Sequence, residues 1–225
     1  MGDRGGEANT LNNLGIIDLR QGCYARAADH LGRALALYRE VGDHDGQAYA
    51  LANLGQVDVR QMRYPQAAAR LDRSLAMFRE SGNPVGEAHA LTSLGVLGLR
   101  QGRHELARDF HQQAVTLSRE MGDLSGEAEA LNGLGEVFLA THEPGSARDR
   151  HTSALTLADQ IGDKNEQARA HDGLGRAAQA GGEADQARHH WQQALGLYTE
   201  LGAPEADRVR ARLALAEPDR PERLA

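Results

Sequence analysis

The 225-residue chain carries 25 Lys and Arg against 32 Asp and Glu, a formal charge of -7, and is 40% hydrophobic but only 4% aromatic. This balance argues against a nucleic-acid binder, which needs a basic stripe to displace phosphate counterions, and a core of Leu and Ala suits packed helices better than sheets. The single cysteine, Cys23, excludes a disulfide framework and a cysteine zinc cluster, and no apolar run is long enough to span a bilayer, so a cytoplasmic location without membrane contact is expected.

In chain order, the first residues to Glu7 are polar and glycine-rich. Gly2-Asp3 and Gly6-Glu7 match Gly42-Asp43 and Gly86-Glu87 in phase, so the chain opens on the tail of a repeat, as though taken from a longer protein. A shift of 40 residues brings Leu14-Gly15 over Leu54-Gly55, Leu94-Gly95, Leu134-Gly135 and Leu174-Gly175, with no insertion anywhere. Leu11, Leu14 and Gly15 share one face of a first helix, and Ala27, Leu31, Ala34, Leu35 and Tyr38 give a second helix its apolar stripe. Each repeat therefore reads as a helical hairpin, with Gly15 and Ala27 small because the two axes must approach closely. The spacing predicts first helices over 5-21, 44-61, 84-101, 124-141 and 164-181, and second helices over 24-41, 64-81, 104-121, 144-161 and 184-201.

Gly42, Gly82, Gly122 and Gly162 stand where a left-handed C′ residue is wanted, and Asp43, Asn83, Asp123 and Asp163 follow as N-caps. Pro65, Pro84, Pro144 and Pro204 all fall at helix starts, where a missing N–H is harmless. The expected architecture is all-α: one right-handed solenoid over 1-216, with repeats at 4-42, 43-82, 83-122, 123-162 and 163-202. A charged capping helix is expected over 204-216, its Glu205, Asp207, Arg208, Arg210 and Arg212 solvating the end of the stack, and a disordered tail over 217-225. The N-terminal edge has no such cap, which favours a homodimer through the open stacking face.

The pattern A-x-x-L-x-x-L-G, with Ala27 and Ala34 twelve and nineteen positions after the glycine, resembles the tetratricopeptide repeat, whose usual period is about 34. The longer period and the joint Gly122-Asp123, Gly126-Glu127-Ala128, Ala130-Leu131 are similar to the long-helix variant of animal polarity adaptors. Glu166 through Leu213, including Leu174-Gly175-Arg176, His190-Trp191, Ala194-Leu195 and Leu201-Gly202-Ala203-Pro204-Glu205-Ala206, resembles the C-terminal array of actinobacterial antibiotic-pathway regulators. That resemblance implies a regulatory, partner-binding role; the DNA-binding and nucleotide-switch domains of such regulators have no counterpart in this chain.

The family resemblance implies a concave groove lined by first helices. By phase, its positions are Asn9, Tyr49, His89, Glu129 and Arg169; Asn12, Ala52, Thr92, Asn132 and Asp172; Ile16, Gln56, Val96, Glu136 and Arg176; and Arg20, Arg60 and Arg100. The candidate contacts are Asn9, Asn12, Arg20, Tyr49, Asn53, Gln56, Arg60, His89, Arg100, Asn132, Glu136 and Arg176. Arg20, Arg60 and Arg100 have two readings: a ladder that clamps the carboxylates of an acidic peptide or helix, or last-turn arginines that complement the helix dipole. Ala140 and Ala180 interrupt the series, as a localised site would require and dipole capping would not. Asn12, Asn13, Asn53 and Asn132 either hold a peptide backbone or are solvated.

No two histidines lie three or four apart on one helix, so no metal site is expected, and His111 and His151, in phase with Leu31 and Leu71, read as partly buried packing residues. Gly133-Leu134-Gly135 packs helices and Lys164, the only lysine, lies in a joint, so no nucleotide loop and no cofactor are expected. The sequence points to a non-catalytic module that binds a protein or peptide, as the regulatory array of a bacterial regulator or as a free-standing adaptor or self-associating scaffold. An enzyme is the reading of another class, and it would need a buried charged pocket in the groove.

Overall fold

The computed structural model describes residues 3–216, which form eleven helices and no strand. They are α1 (Arg4–Arg20), α2 (Tyr24–Val41), α3 (His44–Arg60), α4 (Tyr64–Ser81), α5 (Pro84–Arg100), α6 (His104–Met121), α7 (Leu124–Ala140), α8 (Pro144–Ile161), α9 (Lys164–Ala180), α10 (Ala184–Leu201) and α11 (Glu205–Leu215). Each odd helix packs on the even helix after it, and each hairpin stacks on the next, so the molecule is an all-α solenoid. The tail expected to be disordered lies outside the described residues.

The helix boundaries follow from capping chemistry. Asp3, Asp43, Asn83, Asp123 and Asp163 each accept the N–H three residues on, from Gly6, Gly46, Gly86, Gly126 and Glu166, at 2.8 to 3.1 Å. The second helices end on left-handed Gly42, Gly82, Gly122, Gly162 and Gly202, and the next N–H reaches back to close the turn, as from Asp43 to the Tyr38 carbonyl at 2.9 Å. Pro84 and Pro144 open α5 and α8, Pro65 is second in α4, and Pro204 precedes α11.

Inside each hairpin the glycine of the Leu-Gly pair receives a large side chain from the second helix. A Cβ at Gly15 or Gly55 would stand 2.5 or 2.7 Å from Leu31 or Leu71. Ala27, Ala67, Ala107 and Ala147 are fully buried at the crossing, where any larger residue would part the helices.

The solenoid curves until its ends meet. A Cβ on Gly22, between α1 and α2, would lie 3.1 Å from Pro204, which precedes α11, and Arg60 Nη1 reaches Glu205 Oε1 at 3.2 Å. The capping helix is therefore not a simple solvating end, as its charges suggested. Asp207 and Arg210 do face outward, but Glu205, Arg208 and Arg212 turn to the inner face, where Arg212 pairs with Asp172. At the opposite edge Leu14 and Ile17 remain 42% and 50% exposed, whereas their counterparts in later repeats, Leu54 and Val57 among them, are 6% or less.

Candidate ligand cavity on the inner face

The curvature turns the inner face of the odd helices into a cavity of about 560 Å³, walled by α1, α3, α5, α7 and α9 and completed by α11. Seven arginines line it, Arg20, Arg60, Arg100, Arg169, Arg176, Arg208 and Arg212, against five carboxylates, Glu129, Glu136, Glu166, Asp172 and Glu205. A chain of formal charge -7 thus encloses a basic interior.

One end of the cavity is a fixed ionic network. Arg169 Nη2 donates to Glu136 Oε1 at 2.9 Å and its Nη1 to Glu166 Oε2 at 3.0 Å. Asn132 Nδ2 donates to Glu166 Oε2 at 3.0 Å, and His151 Nδ1 donates to Asn132 Oδ1 at 2.9 Å. Burial alone would raise the Glu136 carboxyl, but the Arg169 charge and hydrogen bond, with Arg176 behind them, outweigh it and hold it at about 2. Glu136 keeps 28% of its side-chain surface open to the cavity. Glu166 is pushed upward by burial, and Arg169, although burial disfavours its charge, is raised by Glu166, Glu136 and Glu129. Replacing a paired buried ion with nothing is strongly unfavourable, so this network stiffens the wall rather than awaiting a ligand.

The rest of the cavity is open. Arg20 and Arg100 line it and have no ion-pair partner among the described residues, whereas Arg176, also without a direct ion pair there, lies close enough to Glu136 to help hold its charge. Arg60 has Glu205 as its partner. None of the three ladder arginines donates a side-chain hydrogen bond to a helix carbonyl; backbone N–H groups close those helix ends instead, as from Gln21 to Ile17 and Gln61 to Val57. Beside them Gln56 Nε2 donates to Ser93 Oγ at 2.9 Å, and His89 Nε2 donates to Asn53 Oδ1 at 3.3 Å.

Of the sequence-predicted contacts, Arg20, Asn53, Gln56, Arg60, His89, Arg100, Glu136 and Arg176 come together around the cavity. Four do not. Asn9 is exposed and accepts from Tyr38 Oη at 2.7 Å, and Asn12 accepts from Asn53 Nδ2 at 3.2 Å. Tyr49 packs edge-on against Phe78 and lines a smaller hollow of about 180 Å³ with His89 and Glu129. Asn132 is fully buried with both ends of its amide engaged. Sequence reasoning missed Glu166, Glu205, Arg208 and Arg212. Glu166 carried a signal: it stands where the earlier repeats have Gly6, Gly46, Gly86 and Gly126, and Ala158 opposite it replaces Tyr38, Phe78 and Ser118.

The cavity is charged, as a catalytic site in the groove would have to be. Its carboxylates are mostly held by arginines, and its Ser93 and His89 are bonded to Gln56 and Asn53 rather than to one another, so they form no nucleophile and base pair. Among the described residues no group of three or more His, Cys, Asp or Glu could hold a metal, and no helix is long and apolar enough to cross a membrane. His111 and His151, expected to be partly buried, are fully buried.

Stacked hairpins around an inner-face cavity define a helical-repeat solenoid of the interaction class. The tetratricopeptide repeat family model matches residues 6–80, 60–120, 86–160 and 126–200, and the chain belongs to that family. No curated protein matches it in sequence. Among solved structures it is similar to NprR in complex with its cognate peptide NprX, with TM-score 0.72 and 14% identity over 96% of this chain and 61% of that one. It is similar to Rap protein complexed with Competence and Sporulation Factor, with TM-score 0.69 and 13% identity over 96% of this chain and 65% of that one. It also resembles a Signal Transduction ATPase with Numerous Domains from Pyrococcus horikoshii that has a tetratricopeptide repeat sensor, with TM-score 0.67 and 14% identity, covering 93% of this chain and 31% of that one. The chain thus spans less than two thirds of each of these proteins, and at such identities the likeness is one of fold.

Proposed function

We propose that this protein is a non-catalytic recognition module that takes an acidic peptide, or an acidic segment of a partner protein, into its inner-face cavity. One observation carries the reading: Arg20 and Arg100 line the cavity with no ion-pair partner among the described residues, in a chain that is acidic overall. Guanidinium groups that face a partly enclosed space bind carboxylates by paired hydrogen bonds, and low local dielectric strengthens them. The complex of NprR with its cognate peptide supports a peptide over a small metabolite.

The module belongs to a cytoplasmic regulator. The Pyrococcus horikoshii protein, with its tetratricopeptide repeat sensor, and the resemblance of Glu166 through Leu213 to regulator arrays both favour that context, in which an acidic segment of the regulator itself would also fit the cavity. The exposed Leu14 and Ile17 favour a second reading, a scaffold that self-associates through its first helix.

The test is fluorescence anisotropy with a fluorescein-labelled pentaglutamate peptide and a pentalysine control, comparing wild type with the Arg20→Ala, Arg100→Ala variant. We expect the variant to melt at the wild-type temperature and to lose about tenfold or more in affinity for the acidic peptide. Equal affinity of the two proteins, or equal binding of the basic peptide, would sink the reading.

A further inference from the structure

Glu205 is the first residue of α11, and its carboxylate projects into the cavity from the far end of the chain. A single oxygen, Oε1, lies 3.2 Å from Arg60 Nη1 and 3.2 Å from Arg208 Nη2. Arg60 belongs to the ladder series that includes Arg20 and Arg100, and among the described residues it is the one of the three paired with a carboxylate. The same place is where the solenoid closes: Arg60 and Glu205 are 145 residues apart, and Gly22 meets Pro204 beside them. This contact is not part of the stacking order, in which each hairpin touches its neighbours. It exists only because the accumulated curvature brings first and last elements together.

We propose that Glu205 is a built-in occupant of the cavity's carboxylate site, and that an acidic ligand displaces it from Arg60 and so unlatches the two ends of the array. The inference rests on the acidic-ligand reading given above and adds its regulation: binding and ring opening are one equilibrium. Beyond Arg60 and Glu205, α11 makes no extensive contact with the helices of the first two hairpins among the described residues, and the other close approach is Gly22 against the Pro204 ring. The side chain of Arg60 is 39% exposed, so the pair is a solvent-screened bond of modest strength that a second carboxylate can replace. The ligand class follows as a short chain with at least two carboxylates, one to take Arg60 and another to reach Arg20 or Arg100.

The latch can be read by a disulfide. An ideal Cβ on Gly22 lies 3.7 Å from Pro204 Cβ, within the range a disulfide spans. Gly22 has φ 74°, but Met62 and His142 carry side chains at the same phase of later repeats with φ 59° and 61°, so a cysteine fits that backbone. In a Cys23→Ser background, Gly22→Cys and Pro204→Cys are introduced, unchanged melting is checked, and the rate of disulfide closure is measured in oxidised glutathione.

Without any ligand, Glu205→Gln or Arg60→Ala should slow closure about fivefold, the weight of one exposed ion pair; rates equal to that of the parent would overturn the latch. Pentaglutamate should slow closure of the parent and bind the Glu205→Gln protein about fivefold more tightly than the wild type. If the peptide binds wild type but changes neither closure nor the Glu205→Gln affinity, displacement is wrong and the acidic-ligand reading stands. If it binds neither protein while Glu205→Gln still slows closure, the acidic-ligand reading fails and takes the displacement with it.

Discussion

His111 shows how one residue can strain an otherwise regular core. It is fully buried, and neither ring nitrogen has a hydrogen-bond partner among the described residues. Its ring lies between two backbones: a Cβ at Gly95 would come within 2.6 Å of it, and one at Gly133, in the next repeat, within 2.2 Å. The earlier repeats place Leu31 and Leu71 at this position, with Asn53 and Ser93 where Gly133 stands, so the imidazole comes with a glycine that makes room for it. Burial holds the ring's pKa down at about 4, with Arg169 adding to the depression and Glu136 opposing it. The unfolded chain therefore takes up a proton near the ordinary value of 6.5 that the folded chain refuses, and stability falls as pH drops from about 6.5 toward 4. His111→Leu removes an unsatisfied polar group and should stabilise the protein by about 1–2 kcal/mol at neutral pH. Thermal melts at pH 7.5 and 5.0 check both parts: the variant should melt higher at each, with a wider gap at the lower pH. A lower melting temperature at pH 7.5 would mean that shape fit to Gly95 and Gly133 outweighs the orphaned nitrogens.

At the level of the helix, glycine serves two opposite ends. Gly86 is the third residue of α5, and a Cβ there would enter the Phe78 ring at 2.2 Å, so Gly86→Ala should destabilise by about 1–3 kcal/mol. Gly32 in α2 and Gly196 in α10 face solvent with nothing within 4 Å, and each should gain about 0.5–1 kcal/mol on replacement by Ala. Urea denaturation with unchanged slope measures all three; a destabilised Gly32→Ala would show that the packing account misplaces α2. The contrast also shows why the elements were legible. Helix limits depend on caps a few residues apart, such as Asp43 with Gly46 and Gly82 with Asn83, and these recur every 40 residues, so they could be read to within a residue or so. The groove face of α1 to α9 was partly legible for the same reason, since phase assigns Arg20, Gln56 and Arg176 to one side. The far wall was not. Glu205, Arg208 and Arg212 share one face of α11, but which way that face turns depends on rotation accumulated over five hairpins, which no local pattern encodes.

That accumulated rotation leaves the whole molecule with unlike ends. At the last hairpin α11 covers the stack, burying Ala206 and Val209 against α10 and extending to the cavity. At the first, Leu14 and Ile17 lie one turn apart on α1 and are exposed, although every later repeat covers the same two positions with the helix before it. Thr10 and Asn13 extend this strip at helical spacing where the later repeats bury Ala50 and Asn53, so the strip is the face that later repeats use for stacking. A second copy would present the same strip, and two such faces would meet isologously about a two-fold axis. The strip holds only two large apolar side chains, well short of the roughly 1,000 Å² of a stable interface, so association should be weak and set in only well above assay concentrations. Light scattering across a concentration series should then show mass rising toward a dimer for wild type, and monomer throughout for Leu14→Glu, Ile17→Glu. Since Leu14 and Ile17 are already half solvated, the variant should keep the wild-type melting temperature within a degree or two. A wild type that stays monomeric to millimolar concentration would remove the scaffold reading, and a variant that still dimerises would move the interface off α1.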